Sequence, residues 1–381
     1  MRIVLLDDSF LHYTAQLANA LADAGNDVLF IASHDTADFA GDNSVEARRE
    51  FMDIVGPKVR LEWMHISAIT SLRTLPANLR SAARIAKLIR NYRPDILHVQ
   101  ETVNYRELGA IKLAGRGLPM VLTVHNAEMH PGKKASKTEF LRSRLRRSAD
   151  VIIVHGREIG DRLLEDPGMN ADKIHRVPIG AYAYYRKWLS GRPQVPNTIL
   201  FFGSVFRYKG LHYLIQAAPK VLEDIPNAKF VIAGSGPDWP RCKTLIQNHE
   251  SFTLYEHVIS NPEVTHLFEE ASVVVLPYVE ASQSAVLCLS FALGKPTIVT
   301  DVGSMPEMVD DGETGLVVPP GDAEALAGAI VRLLKDSNLR ESMAARAYQK
   351  ASSGDLTWAS VASKTADIYR QLIKAEKANK E

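Results

Sequence analysis

The sequence predicts an α/β protein of two doubly wound domains in tandem, and three observations carry that expectation. Short apolar runs alternate with longer amphipathic stretches from end to end. The alternation lapses once near the middle and restarts. The 381 residues also exceed the length at which a single core usually stops growing. Alternation of this kind is the βαβ rhythm of a parallel sheet, whose central strands read as continuously apolar because both faces are covered.

In the first half "RIVLL" precedes a helical pattern at 12–24, "DVLFIAS" follows it, and "DILHVQ", "PMVLTVH" and "DVIIVH" are further buried strands separated by helices. The stretch 187–197, "KWLSGRPQVPN", has two prolines, a glycine and little apolar content, and reads as a linker. Beyond it "TILFFGS", a helix at 210–223, "KFVIAG", "FTLYEH", "SVVVLPY", "PTIVTD" and "GLVVPP" repeat the rhythm. The expected domains are therefore 1–187 and 197–355, with a C-terminal helix over 356–381 whose apolar spacing offers one face to the first domain. Ligands meet such sheets at the carboxyl ends of their strands, so the cleft between the halves is the expected site.

A formal charge of +1 and an ordinary composition give no case for nucleic acid. The two cysteines, Cys242 and Cys288, lie outside any Cys or His cluster, which argues against disulfides or zinc and for the cytosol. The opening "MRIVLLDDSF" reads as a first strand rather than a leader, and no apolar run reaches the roughly 18 residues of a spanning helix. Charge is nonetheless uneven: from Lys58 to Arg147 there are 18 Lys and Arg against 6 Asp and Glu, an excess of 18 − 6 = 12 that includes "RSRLRR" at 142–147. Solvated helix faces are one reading of it. An anionic acceptor or an acidic membrane surface is the other.

Four loops have the residue types for chemistry. "FFGSVFRYKGLHYLI" places Gly203 and Ser204 after a strand, then Arg207 and Lys209, then Gly210 opening a helix, which suits a diphosphate or, more plainly, a βα turn with two solvated bases. "VIAGSGPDW" supplies Gly234, Ser235, Gly236 and Pro237, a weak signal that by itself is a tight turn and lacks the dinucleotide fingerprint. "TVHNAEMHPG" sets His125 at the end of the fourth strand, where it can donate to a substrate hydroxyl, steady developing positive charge or serve structure; His98 and His130 are weaker candidates. "LPYVEASQSAVLCLSFALGKP", 276–296, has little to bury and much to hydrogen-bond before its helix begins. No HExxH, Walker, nucleophile-elbow or Asp-x-Asp pattern is present, so no metal is expected.

Together these segments, with "ALGKPTIVTDVGSMPEMVDDGETGLVVPPGD" and a late Trp358, resemble the retaining glycosyltransferases of family 4. The resemblance covers the second half almost continuously and the first mainly through its rhythm and "TVHNAE". It implies the GT-B fold, two Rossmann-like domains facing a central cleft with the C-terminal helix packing back on the first. It also implies metal-independent hexosyl transfer from a nucleotide-diphosphate sugar to a glycan, lipid-linked or small-molecule hydroxyl, with no cofactor. By the same implication the leaving phosphate takes the acceptor proton.

By the same resemblance Lys209 matches the family lysine that grips the donor diphosphate, Ser204 stands where the family has arginine with Arg207 close by, and His125 matches the histidine facing the donor sugar. The family's glutamate pair falls at Ala281 and Leu289. Glu280 is one residue from the first place, and nothing acidic is at or next to the second. The implied catalytic residues are His125, Lys209 and Glu280. Donor contacts are implied for Gly203, Ser204, Arg207, Gly234, Gly236, Pro237, Ser282, Gln283, Ser284 and Ala285. A cytoplasmic protein of cell-surface polysaccharide synthesis, with peripheral contact at an anionic inner membrane face, is the corresponding expectation. Two other readings are a catalytically silent binding protein and a GT-B nucleotide-sugar epimerase.

Overall fold

The computed structural model describes residues 1–33, 44–64, 75–101, 111, 117–127 and 136–378. The chain divides into two compact units, Met1–Pro178 with Trp358–Glu381, and Ile179–Thr357. Among the described residues the first holds seven strands: β1 (Arg2–Asp7), β2 (Asp27–Ser33), β3 (Val59–Met64), β4 (Ile96–Gln100), β5 (Met120–Val124), β6 (Val151–Val154) and β7 (Ile174–Arg176). Their order is β3-β2-β1-β4-β5-β6-β7, and every pairing is parallel.

The second unit holds β8 (Thr198–Phe202), β9 (Lys229–Ala233), β10 (Phe252–Tyr255), β11 (Val273–Leu276), β12 (Thr297–Thr300) and β13 (Gly315–Val318), in the parallel order β10-β9-β8-β11-β12-β13. Each unit is thus Rossmann-like. In each the strand order reverses once, at β1/β4 and at β8/β11, which is where such sheets open a crevice for ligands.

The apolar runs become central strands because both faces are covered. Ile199, Phe201, Phe230, Ile232, Val273 and Val275 meet Leu214, Val221, Ile330 and Leu333 of the helices Leu211–Asp224 and Ala323–Lys335. The last helix, Trp358–Ala378, belongs to the first unit and packs on the helix Leu11–Asp23. Trp358 lies edge-on to Tyr13 at 5.2 Å, and the Tyr369 hydroxyl is 2.5 Å from His98 Nδ1. Among the described residues no helix is long and apolar enough to cross a membrane.

β3 and β7 are additional strands at the two edges of the first sheet, so the strand before His125 is the fifth rather than the fourth. The division falls at 178/179, ahead of the expected 187–197 linker. That stretch is tied into the second unit because the N–H groups of Ser190, Gly191 and Arg192 donate to the Glu269 carboxylate and Val195 N–H donates to Glu270 O.

Candidate functional site

In the second unit the loops after β8 and β11 flank the reversal of strand order. The β8 loop rests on its neighbours by backbone contact. Gly203 N–H donates to Ala233 O and Val205 N–H to Ser235 O, each at 2.9 Å. A Cβ at Gly234 would lie 2.0 Å from the Gly203 carbonyl oxygen, so this glycine answers to loop packing. Gly236 and Pro237 complete the turn before Asp238, whose N–H donates to Val205 O at 3.1 Å.

Gly210 is left-handed at φ 68, and a Cβ there would lie 1.8 Å from Pro277 O. Only glycine lets this loop touch the chain leaving β11, where Val279 N–H donates to Tyr208 O at 2.8 Å. That contact positions Lys209. Its Nζ sits 3.8 Å from the centre of the buried Tyr278 ring and 5.3 Å from that of Tyr208, with no carboxylate partner among the described residues. Ring faces hold a cation without neutralising it.

The Tyr278 hydroxyl lies 3.3 Å from Ser284 Oγ, and Ser284 caps the helix Ala285–Ala292 by accepting from Leu287 N–H at 3.4 Å. The first N–H groups of a helix, here from exposed Ala285 onward, find no partner inside it. An un-neutralised ammonium and a helix start therefore converge through one aromatic ring. Such an arrangement has the chemistry to hold a diphosphate.

Ser204, Arg207 and Glu280 are exposed, and among the described residues neither Arg207 nor Glu280 has an ion pair. Ser282 O accepts from Ser304 N–H at 3.1 Å, and Gln283 follows it. Leu289 is 4% exposed within the capped helix, so no carboxylate is missing from an open position there. Tyr278 escaped the sequence reading; an aromatic directly after a strand-ending proline in "VVVLPY" was the available signal.

In the first unit His125 follows β5 and is 2% exposed. Its ring stacks on Phe10 at 3.7 Å and meets Tyr13 edge-on at 5.0 Å, and Nε2 lies 2.8 Å from Gln100 Oε1. With Nε2–H given to the amide oxygen, the neutral ring has only an acceptor, Nδ1, left. In that tautomer the ring can accept from a ligand hydroxyl but not donate to it. His98 is fully engaged, by Tyr369 at Nδ1 and by Thr123 Oγ1 at 2.7 Å on Nε2, and so serves to fasten the last helix. His130 lies outside the described residues.

The arginines of "RSRLRR" are corrected too. Arg142 and Arg146, one turn apart on the helix Ser136–Ser148, are buried against Glu101. Both donate to Asn126 O and Arg146 also to Ala127 O, so they fix the backbone that follows His125. Arg147 pairs with Asp166 at 2.6 Å, and Arg144 lies over Phe140. Charge counting missed this because Glu101 lies 41 residues from Arg142 in sequence.

Burial holds His98 at about 3 and His155 at about 4, and it pushes His125 well below the ordinary imidazole value, with His155 and His98 adding to the effect. All three are neutral in the fold, whereas the unfolded chain protonates them below about pH 6.5. Stability should therefore fall as pH drops from about 6.5 toward 4, by up to about 1.4 kcal/mol per unit for each histidine. Asp7 works oppositely: burial raises it to about 7 against hydrogen bonds from Ser9, Thr14 and Phe10, so its contribution is greatest at low pH and is lost as pH rises to about 7. Three groups outweigh one. Urea midpoints measured across pH 7 to 4.5 should decline steadily, and a flat profile would show that these rings are not held neutral by the fold.

Comparison with known proteins adds the following. Residues 12–180 match the family described as "Glycosyl transferase 4-like domain", and residues 196–336 match "Glycosyl transferases group 1". Glycogen synthase from Mycobacterium tuberculosis is 26% identical over 95% of this chain and 90% of its own length. Alpha-D-kanosaminyltransferase from Streptomyces kanamyceticus is 26% identical over 67% of this chain and 71% of its own. Among solved structures, sucrose-phosphate synthase from Thermosynechococcus elongatus superposes with a TM-score of 0.74 at 21% identity, covering 98% of this chain and 100% of that one. HepE from Anabaena in complex with UDP-glucose gives 0.71 at 14%, covering 97% and 100%.

Proposed function

Because the chain belongs to the group 1 glycosyltransferases, family 4-like and of the GT-B fold, we propose that it moves a hexosyl group from a nucleotide-diphosphate sugar to an acceptor hydroxyl, with retention and without a metal. The observation that carries this reading is the Lys209 ammonium, held over Tyr278 beside the start of the helix Ala285–Ala292 and without a carboxylate partner among the described residues. The neighbour solved with UDP-glucose supports a sugar nucleotide as donor, and the names of the two relatives support glycosyl transfer. Transfer breaks the bond from the anomeric carbon to the diphosphate oxygen, and the electron pair leaves with the diphosphate. The acceptor oxygen bonds to the same face of the sugar, and its proton passes to the departing phosphate. Fixed cations at Lys209 and Arg207 stabilise the charge that builds there.

The acceptor, a glycan, a lipid-linked sugar or a small molecule, is proposed to meet the first unit. A cytoplasmic role in cell-surface polysaccharide synthesis belongs to the same proposal. Contact with an anionic membrane would rest on Arg144 and Arg147, since Arg142 and Arg146 are buried. Incubating the protein with common sugar nucleotides in excess EDTA should release sugar of unchanged anomeric configuration. Activity that is lost and then restored by magnesium or manganese contradicts metal independence, epimerised sugar identifies an epimerase, and no turnover identifies a binding protein.

Glu280 is proposed to face the donor sugar. Glu280→Gln keeps the shape and removes the charge, so it should weaken binding of the intact sugar nucleotide about tenfold to a hundredfold while sparing the nucleoside diphosphate. Equal weakening of both ligands in calorimetry moves the residue to the nucleotide, and no weakening removes it from the site. Leu289→Glu should not improve binding, because a carboxylate placed in that buried position loses its hydration without gaining a partner.

A further inference from the structure

Four side-chain polar atoms of the second unit are buried with no hydrogen-bond partner among the described residues: Thr198 Oγ1 and His212 Nδ1, which stand apart, and Gln283 Oε1 and Ser304 Oγ. The last two are the pair of interest. They belong to neighbouring segments at one edge of the sheet. Gln283 follows β11 and Ser304 follows β12, the next strand, and Ser304 N–H donates to Ser282 O at 3.1 Å. Ser304 is 0% exposed.

Neither atom has a task in the fold. Ser304 stands before the short helix Met305–Met308, yet its hydroxyl makes no capping bond. The helix after Gln283 is capped by Ser284 instead. Unpaired buried polar atoms are uncommon and destabilise the protein that contains them, so two on adjoining segments at the ligand edge call for a ligand that completes them. An amide oxygen only accepts and a hydroxyl both donates and accepts, so the pair suits a hydroxylated, uncharged group and would repel a phosphate at the amide.

We infer that Gln283 and Ser304 form a neutral recognition pair for a vicinal diol of the donor. This rests on the donor reading above and supplies what Leu289 cannot: hydroxyl recognition without a carboxylate. A site built to hydrogen-bond hydroxyls discriminates strongly against ligands that lack them, because its buried groups are then left unpaired. The diol belongs either to the ribose or to the transferred sugar.

Gln283→Met and Ser304→Ala preserve much of the shape and remove the polar atoms. Calorimetry on each should use inorganic pyrophosphate, the uridine, guanosine and adenosine diphosphates, and their glucose conjugates. The expected loss is roughly fivefold to fiftyfold. Loss with diphosphates and conjugates alike, but not with pyrophosphate, assigns the ribose; loss with conjugates alone assigns the sugar. Unchanged affinity, or equal loss with pyrophosphate, overturns the inference. In ligand-free protein both variants should melt at or above the wild-type temperature, since an unpaired buried atom has been removed. A fall of more than about 4 °C marks a structural role and also overturns it. Wild-type protein that binds none of these ligands defeats the donor reading itself, whereas wild-type binding matched by both variants defeats only the diol pair.

Discussion

Lys209→Ala should lower turnover about a hundredfold or more while leaving the fold intact. The side chain makes ring contacts to Tyr278 and Tyr208 and has no ion pair among the described residues, so its removal takes little from stability. What it removes is a positive charge fixed where the diphosphate gains negative charge, and one preorganised contact of that kind is worth on the order of a hundredfold to a thousandfold in rate. Lys209→Arg keeps the charge but changes its geometry, and should fall between the two. Steady-state sugar release and the melting midpoint should be measured together. Turnover within about threefold of wild type, with a matched midpoint, would remove the phosphate role.

Glu101→Ala should produce the largest loss of stability. It removes the carboxylate against which the guanidinium groups of Arg142 and Arg146 are buried. Breaking a buried ion pair from one side costs about 3 to 5 kcal/mol, which in a domain of this size lowers the midpoint by about 10 °C. The same arginines hold Asn126 O and Ala127 O, so the ring of His125 should lose its fixed setting as well. Arg144→Gln, on the same helix but with its guanidinium over exposed Phe140, is the control and should stay within about 0.5 kcal/mol of wild type. Equal behaviour of the two variants would show that Glu101 is solvated rather than buried with its partners.

The central strands were legible in the sequence because burial on both faces leaves a continuous apolar run, as in "SVVVLPY" and "DVIIVH". The edges were not. β3 includes Arg60 and Glu62, and β7 is three residues long, so neither shows such a run. The loop with Lys209 could be found from its glycine and its bases, but the Tyr278 ring that seats the ammonium is 69 positions later and only the sheet order brings it near. The arginine run misled for a related reason. Charge counting records sign, and it cannot record that one glutamate at the end of β4 takes two of those charges into the interior.

On the proposed reading, the edge formed by Lys209, Tyr278 and Ser284 holds the diphosphate of a sugar nucleotide. A thermal-shift panel of sugar nucleotides and their parent diphosphates, run in EDTA on the wild type and on Lys209→Ala, decides it. A ligand at about a hundred times its dissociation constant adds about 2.7 kcal/mol to stability, so at least one pair should raise the wild-type midpoint by roughly 5 to 10 °C and the variant's by much less. No shift for any member, or the same shift in both proteins, would mean that this edge does not hold the diphosphate.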